Sequence, residues 1–287
     1  MILDKEFLKK LDQQKNKEIF IRIVALNWKE QPIEKIEGRA TGGSINIDGA
    51  SVVRRTCSLS LVAEDVNINM FYWGIESKFE LFVGVKNKVD PNYEDIIWFK
   101  QGIYVITSFN ISQTTNNFTI SISGKDKMCL LNGEINGSLP SSVDFGVQEI
   151  HHFKTNGEID YIEYKQIPIK TIIKEMIHAY AKEPYGNIII LDIPDYGSEL
   201  MEYRGESPLY FIKDGNIVTN MTLIKPSSGK YDTVEKYETA GYRATPLTYA
   251  GDLIANVGES ITSILDKIKN MLGEYEYFYD LDGRFVF

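Results

Sequence analysis

The fold of this chain is decided by the stretch GRATGGSINIDGASVVRRTCSLSLVAED, residues 38–65. In its second half apolar and hydroxyl side chains alternate, which places Cys57, Leu59 and Leu61 on one face of a strand. The serines and threonine between them would lie on the other face. Its first half also alternates over 43–49, so the stretch predicts two neighbouring strands.

The glycines of this stretch raise an alternative, a phosphate-binding loop. Such a loop needs its glycines between a strand and a helix, where backbone N–H groups and the helix N-terminus meet the anion. Here Gly42 and Gly43 lead into the strand-like SINID, Gly49 leads into another strand, and no Gly-Lys-Ser/Thr follows. Asp48 and Gly49 have the chemistry of a turn, so the sequence favours a β-hairpin.

The same alternation continues on both sides of the hairpin. The segments with a strand pattern are EIFIRIVALNW (18–28), GSINIDG (43–49), VVRRTCSLSLVA (52–63), KFELFVGVK (78–86), IIWFKQGIYVITSFNIS (96–112) and NFTISISG (117–124). The segment 96–112 is one long bent strand or two, with Gly102 as the bulge or turn. So many short strands in succession predict a mainly β fold, an antiparallel barrel or sandwich.

The rest of the chain predicts an α+β part after the barrel. We expect an N-terminal helix within 1–17, a barrel over 18–131 that a helical turn closes, a mixed α+β insert over 132–257, and a helix plus β-hairpin over 258–287 that could open a second barrel. The clearest helices are 168–183 and 259–273, with Gly273 at the place of a left-handed cap. A strand is expected at 187–193, short strands near 208–213 and 216–224, and the last hairpin turns at Asp282 and Gly283. Because the chain stops within an apolar strand, we expect it to be the N-terminal part of a longer protein.

Composition excludes several classes. The 287 residues are 43% hydrophobic and 25% charged, as in an ordinary globular protein, and the net charge of −9 argues against a nucleic-acid binder. That charge would still let DNA pass without adhering. No run of 18 apolar residues predicts a membrane span, and the N-terminus lacks the apolar core of a secretory signal. Cys57 and Cys129 are expected to be buried thiols, not a disulfide or a zinc site.

No catalytic motif emerges. His151 and His152 are adjacent, and the helix of His178 offers no second histidine one turn away, so a structural role is favoured over metal binding. There is no G-x-S-x-G elbow and no H-E-x-x-H motif. Asp144 and Asp195 lie in turn-like sequence, where aspartate serves the backbone. We therefore predict no catalytic, cofactor-binding or metal-binding residue, and no enzyme activity.

Tyrosines are concentrated after the barrel. This enrichment is typical of interface surface, with half-buried core and a carbohydrate-stacking surface as alternatives. The residues are Tyr161, Tyr164, Tyr180, Tyr185, Tyr196, Tyr203, Tyr210, Tyr231, Tyr237, Tyr242 and Tyr249.

The order of these elements resembles one protein family. Six runs of the sequence are similar to the N-terminal part of bacteriophage tail proteins. They are, in chain order, RRTCSLSLVAED, KFELFVGVKN, IIWFKQGIYVITSFNIS, NFTISISGKDKMCLLNGEINGSLPSSVDFG, PIKTIIKEMI and SITSILDKIKNMLGEYEYFYDLDGRFVF. The family is that of baseplate hub, or tail-associated hub, proteins. The resemblance covers most of the chain and is weakest over 194–250.

This resemblance implies a barrel of the tail-tube type and a structural role in the virion. A hub forms a trimeric ring at the tail tip, joins the tail tube or a distal tail protein to the central spike or tail fibres, and surrounds part of the DNA channel. Such a protein is made in the host cytoplasm. In the family two similar barrels per subunit allow three chains to match a sixfold tube, whereas this sequence shows one clear barrel.

The residues also favour assembly on physical grounds. Open strand edges can continue a neighbour's sheet, and the hydroxyl faces of 54–62 and 117–123 could line a wet lumen, which we expect to be acidic or neutral. A basic lumen would hold DNA through counterion release. The alternatives are a carbohydrate-binding or cell-wall-degrading tail protein and a hexameric distal tail adaptor.

Overall fold

The structure is a computed structural model, and it describes residues 4–63, 68–113, 117–191, 210–213, 216–219, 243–244, 253–273 and 275–287. The barrel strands are β1 (Ile19–Leu26), β2 (Pro32–Ile47), β3 (Arg55–Ala63), β4 (Lys78–Lys86), β5 (Ile96–Gln113) and β6 (Phe118–Asp126). The other strands are β7 (Val143–Asp144), β8 (Val147–Phe153), β9 (Ile159–Gln166), β10 (Ile188–Ile189), β11 (Tyr210–Lys213), β12 (Asn216–Thr219), β13 (Arg243–Ala244), β14 (Ile254–Ala255), β15 (Phe278–Tyr279) and β16 (Phe285–Val286). The helices are α1 (Lys5–Asp12), α2 (Ile169–Ala181) and α3 (Ile261–Leu272), with 3₁₀ turns at Met70–Tyr72, Lys127–Leu130 and Tyr185–Asn187.

Within the described residues, six antiparallel strands close into a barrel in the order β1–β2–β3–β6–β5–β4. The predicted mainly β architecture is thus confirmed. One boundary differs from the expected one, because the strand expected at 43–49 begins at Pro32. Of the two alternatives for 96–112, the structure shows one strand, with a bulge next to Gly102, whose φ is +120°.

The two longest strands each belong to two sheets. β2 pairs with β1 over Pro32–Arg39 and with β3 over Arg39–Ile47. β5 pairs with β4 over Ile96–Val105 and with β6 over Tyr104–Gln113. The barrel is therefore two sheets that meet along β2 and β5. We call the sheet formed by Arg39–Ile47, β3, β6 and Tyr104–Gln113 the serine sheet, and the one formed by β1, β4 and the other halves of β2 and β5 the opposing sheet.

The barrel interior is filled by the alternate residues that the sequence predicted. Leu61, Ile120, Phe79 and Leu81 are completely buried, and each such side chain stabilises the fold by roughly 1.5–3 kcal/mol. The helix α1 closes one end of the barrel. Its residues Phe7 and Leu11 form a small core with Ile97, Val85 and Phe99, which joins the N-terminal segment to the barrel.

A second core lies beside the barrel and is built from two distant parts of the chain. The helices α2 and α3 pack together with a sheet of order β10–β16–β15. The insert and the C-terminal segment thus form one core, and the hairpin that could open a second barrel lies in it. The buried residues of this core include Met128, Leu131, Leu139, Ile169, Ile172, Ile173, Met176, Ile177, Leu253, Ile261, Ile264, Leu265, Ile268 and Phe285.

The described residues contain strands where the second part of the chain was expected to have them. β10 lies within the strand expected at 187–193, and β11 and β12 lie within those expected near 208–213 and 216–224. Residues 192–193, 208–209 and 220–224 of these predictions lie outside the described residues. Gly273 ends α3 with φ +97° and ψ −110°, so its φ is positive as expected but its ψ lies outside the left-handed helical well. No helix in the described residues is long and apolar enough to cross a membrane.

Candidate assembly surface on the barrel

The serine sheet ends in two open edges. Among the described residues, β2 beyond Arg39 pairs with β3 on one side and with no strand on the other. On the opposite side of the sheet, β5 beyond Ile106 pairs with β6, and no other strand of the described part of the chain pairs with it there. An edge of this kind presents backbone N–H and C=O groups to which a strand of another chain can add.

Glycine allows β2 to pass from one sheet to the other. A Cβ atom on Gly38 would lie 2.4 Å from the carbonyl oxygen of Val62, so only glycine permits this approach of β2 to β3. At Gly43 the backbone has φ +128°, and a Cβ atom would lie 2.3 Å from the oxygen of Ser58. The glycines lie inside a strand, so the hairpin interpretation is confirmed and no strand-to-helix phosphate loop exists here.

The hairpin turn itself also follows the prediction. The carboxylate of Asp48 accepts a hydrogen bond of 3.0 Å from the backbone N–H of Ala50, and the N–H of Asp48 donates to the oxygen of Arg54 at 2.8 Å. This local bonding explains why aspartate occupies the position.

The outer face of the serine sheet consists of small polar side chains, apart from Val62. Paired hydroxyls bridge the two central strands, with Ser60 and Ser121 Oγ atoms 3.1 Å apart and Ser58 and Ser123 Oγ atoms 3.3 Å apart. The residues of this face are Ser44, Asn46, Thr56, Ser58, Ser60, Val62, Ser108, Asn110, Ser112, Thr119, Ser121 and Ser123.

Charge is confined to the two ends of this face. Arg39 lies at one end in register with Val62, and Lys125 lies at the other in register with Thr56. Lys125 is 2.8 Å from the carboxylate of Glu134, which balances it. Between these ends the described residues place no charged side chain on the face, so it is polar and uncharged.

An apolar groove runs along the open edge of β2. Its volume is about 480 Å³. It exists because β2 leaves β1 at Arg39, which partly exposes inner side chains at that corner of the barrel, while Ile21 and Leu59 at the bottom of the groove stay buried. Lys17, Glu18 and Arg39 stand at its rim. The apolar side chains that line it are Ile19, Ile21, Ala40, Ile45, Leu59 and Val83.

An exposed apolar loop accompanies the open edge of β5. Residues 69–76 are held by the buried ring of Trp73, which stacks on Phe109 of β5 with ring centres 5.2 Å apart. The indole N–H of Trp73 also donates to the Glu34 carboxylate at 2.5 Å. The loop nevertheless exposes Phe71 by 85%, Ile75 by 70% and Met70 by 55%. Large exposed apolar side chains grouped in one loop make this loop a candidate interaction site.

A buried ionic cluster joins the barrel to the second core. Lys78 of β4 contacts Glu30 at 2.8 Å and Glu183 at 3.2 Å, and Lys127 contacts Glu183 at 2.7 Å and also Glu30. Lys127 and Glu183 are both completely buried. Two cations and two carboxylates balance each other, so the cluster can be buried without net charge.

Burial and charge act against each other on the cluster's pKa values. Burial disfavours the ionised form of Glu30, but Lys127 and Lys78 outweigh this effect, so the pKa of Glu30 lies below its ordinary value of 4.5. Burial also lowers the pKa of Lys127, although Glu183 and Glu30 oppose it. No sequence signal marked these four residues, because they are far apart along the chain and each is unremarkable locally.

The structure separates the histidines. His152 of β8 stacks on Tyr161, whereas His178 of α2 stacks on Tyr185 and bonds through Nδ1 to the oxygen of Glu183 at 2.6 Å. Among the described residues, no group of three or more His, Cys, Asp or Glu side chains is placed to hold a metal ion.

The cysteines are buried free thiols, as predicted. Burial raises the pKa of Cys57 and of Cys129 to about 12. Cys57 lies in the barrel core and Cys129 in the adjoining 3₁₀ turn.

The tyrosine-rich segment is described only in part. Tyr161 and Tyr185 are exposed and Tyr180 is half-buried. Asp144 accepts a hydrogen bond from the N–H of Gly146 at 2.8 Å, which is the expected turn role. Predictions for Asp195, Tyr196, Tyr203, Tyr231, Tyr237, Tyr242 and Tyr249 lie outside the described residues.

No protein-family model matches this sequence, and no curated protein matches it. Among solved structures, the chain is similar to one described as "Structure of PdpA-VgrG Complex, Lidless", with 11% identity and a TM-score of 0.41. It is also similar to the half-lidded and lidded Francisella PdpA-VgrG complexes, each with 10% identity and a TM-score of 0.42. Each match covers 95% of this chain but only 35%, 31% and 28% of the respective matched chains. The chain therefore spans about a third of the length of the chains that it matches.

Proposed function

We propose that this chain is a structural, non-enzymatic ring subunit of a phage-tail-like tip, of the baseplate-hub type. In this role three copies form a ring through which DNA passes, between a tail tube or distal tail protein and a central spike or tail fibres. The sequence resemblance to hub proteins supports this role. The observation that carries it is the pair of open edges on opposite sides of the serine sheet.

The directions of the strands make these edges complementary. β2, β3, β6 and β5 are antiparallel in succession, so β2 and β5 run in opposite directions. The β5 edge of one copy can therefore meet the β2 edge of the next as a regular antiparallel pair. An interface between two different surfaces repeats from copy to copy and produces a ring when the rotation closes.

In such a ring the serine sheets would form part of the inner wall. Their outer face offers hydroxyl and amide groups and, in the middle, no charge among the described residues. DNA carries about one charge per 1.7 Å of its axis, and a basic wall would bind it by counterion release. A neutral polar wall stays wet and lets DNA slide, which is the expectation for a channel.

The test is the mass of the particle in solution, measured by light scattering. We compare the parent chain with Gly42→Lys, which places an ammonium group at the β2 edge where a new Cβ meets nothing within 4 Å. Gly186→Lys is the matched control, because Gly186 is equally unobstructed but lies in the second part of the chain.

The parent chain and the control should have three times the 32.7 kDa mass of one chain, while Gly42→Lys should shift toward the monomer. A hexamer would point to a distal tail adaptor. A parent chain that stays monomeric at all concentrations would refute the ring, and glycan binding by that monomer would point to the carbohydrate-binding alternative.

A further inference from the structure

We propose that the apolar loop 69–76 of each copy inserts into the groove beside the β2 edge of the next copy. This inference rests on the proposed ring and names the side chains that would stabilise the contact between neighbouring copies. The occupant of the groove is a second copy of this chain.

The register of the serine sheet places the loop and the groove at the same level. Phe109 of β5 is in register with Ile122, Ile122 with Leu59, and Leu59 with Gly43. The groove is centred on this part of β2, since Thr41 to Ile45 and Leu59 line it. The loop is fixed to Phe109 by the stacked ring of Trp73. Edge-to-edge pairing without a large stagger would bring the loop of one copy to the groove of the next.

The chemistry of the two surfaces is complementary. The loop exposes Met70, Phe71 and Ile75, and the groove presents aliphatic side chains of the barrel interior. A volume of about 480 Å³ lies in the range of roughly 300–1,000 Å³ that is typical of ligand pockets. At the rims, the loop ends at the exposed carboxylate of Glu76, and the groove carries Arg39. The other two rim charges are balanced within the chain, Lys17 by Asp12 and Glu18 by Lys88.

This contact would add side-chain burial to backbone pairing. Strand addition alone gives main-chain hydrogen bonds without specificity, and pockets for side chains supply the selection of the partner. An aromatic anchor in a desolvated pocket is the usual centre of such an interface. Phe71 is the anchor that this geometry indicates, because it is the most exposed of the loop's apolar side chains.

Two single-cysteine variants test the contact in the full chain. Phe71→Cys places a thiol on the loop, and Thr41→Cys places one at the exposed β2 bulge that lines the groove. The proteins are mixed and treated with a short bis-maleimide near neutral pH. The native Cys57 and Cys129 are buried with pKa values raised to about 12, so they stay unreactive. The control mixture pairs Phe71→Cys with Val257→Cys, which is also exposed but lies on the second part of the chain.

The mixture of Phe71→Cys and Thr41→Cys should give covalent dimers, several-fold more than the control mixture or either variant alone. Phe71→Ser should weaken association by at least about tenfold, the effect of losing an aromatic anchor, while Val257→Ser leaves it unchanged. A particle that assembles normally with Phe71→Ser, without dimers in the mixture, overturns the loop contact and leaves the ring intact. Dimers formed by Phe71→Cys alone would also overturn it, since two loops would then meet each other. A chain that never assembles refutes the ring itself.

Discussion

Replacement of Lys127 by methionine tests how strongly the buried ionic cluster holds the barrel to the second core. The substitution keeps the length of the side chain and removes its charge. Glu183, completely buried and 2.7 Å from the Lys127 ammonium, then loses its nearest cation, and Glu30 retains only Lys78. Removing one member of a buried ion pair costs about 3–5 kcal/mol, because the charge left behind has no compensation.

We expect the free energy of unfolding to fall by that amount in urea titrations at neutral pH. Lys125→Met is the matched control. It removes an ion pair only two residues away whose partners are both substantially exposed, for which the loss should stay below about 1 kcal/mol.

A second substitution separates charge balance from packing. In the double variant Lys127→Met, Glu183→Gln the charges of the remaining Lys78 and Glu30 balance each other. Its loss of unfolding free energy should therefore be smaller than the sum of the two single-variant losses by about 0.5–3 kcal/mol. The reasoning is refuted if Lys127→Met costs no more than Lys125→Met, or if the two single losses simply add.

Three further predictions concern the barrel and its titrating groups. Leu59→Asp should abolish the cooperative melting transition, because a charge enters the barrel core. Ser58→Asp, on the outer face of the same strand, should melt normally. Normal melting of both variants would show that the strand faces are assigned wrongly. Cys57 and Cys129 should react with a thiol reagent only after unfolding. The free energy of unfolding should fall as the pH rises from 9.0 toward 12, because the pKa of each thiol is 9.0 in the unfolded chain and about 12 in the folded protein. Stability should also fall as the pH drops below 4.5, because the pKa of Glu30 is lower in the folded protein than in the unfolded chain. Urea midpoints measured across that pH range should fall less steeply in Glu30→Gln. An equal fall of the urea midpoint in both proteins would contradict this assignment.

The barrel was predictable from sequence because its central strands alternate over their whole length. In β3 and β6 apolar residues recur at every second position, and all of them except the half-buried Phe118 are buried. The same pattern assigned the hydroxyl side chains to the outer face, and the structure confirms this assignment.

The full length of β2 was not predictable. Its first half contains Glu34, Lys35 and Glu37, and its second half contains Gly42 and Gly43, all of which disfavour strands locally. Pairing with β1 and then with β3 overrides these preferences. Because the open edges arise from this change of partner, alternation within single segments could not locate them.

The groove and the ionic cluster were hidden for a related reason. Both gather residues that are distant in sequence, such as Ile19 with Leu59, or Glu30 with Glu183. No sequence pattern links the members of either group. Only the tertiary arrangement reveals them.

The most direct measurement for the central claim is oxidation of the double variant Ser44→Cys, Ser108→Cys. These residues lie in register on the two edges of the serine sheet, separated by β3 and β6. At about 4.8 Å per strand they are roughly 14 Å apart within one chain, beyond the approximately 7 Å between Cα atoms that a disulfide spans. We predict a ladder of covalent multimers on a denaturing gel that ends at the size of the ring. Chains that stay exclusively monomeric, with both introduced thiols still free after the oxidising treatment, would contradict the joining of these edges.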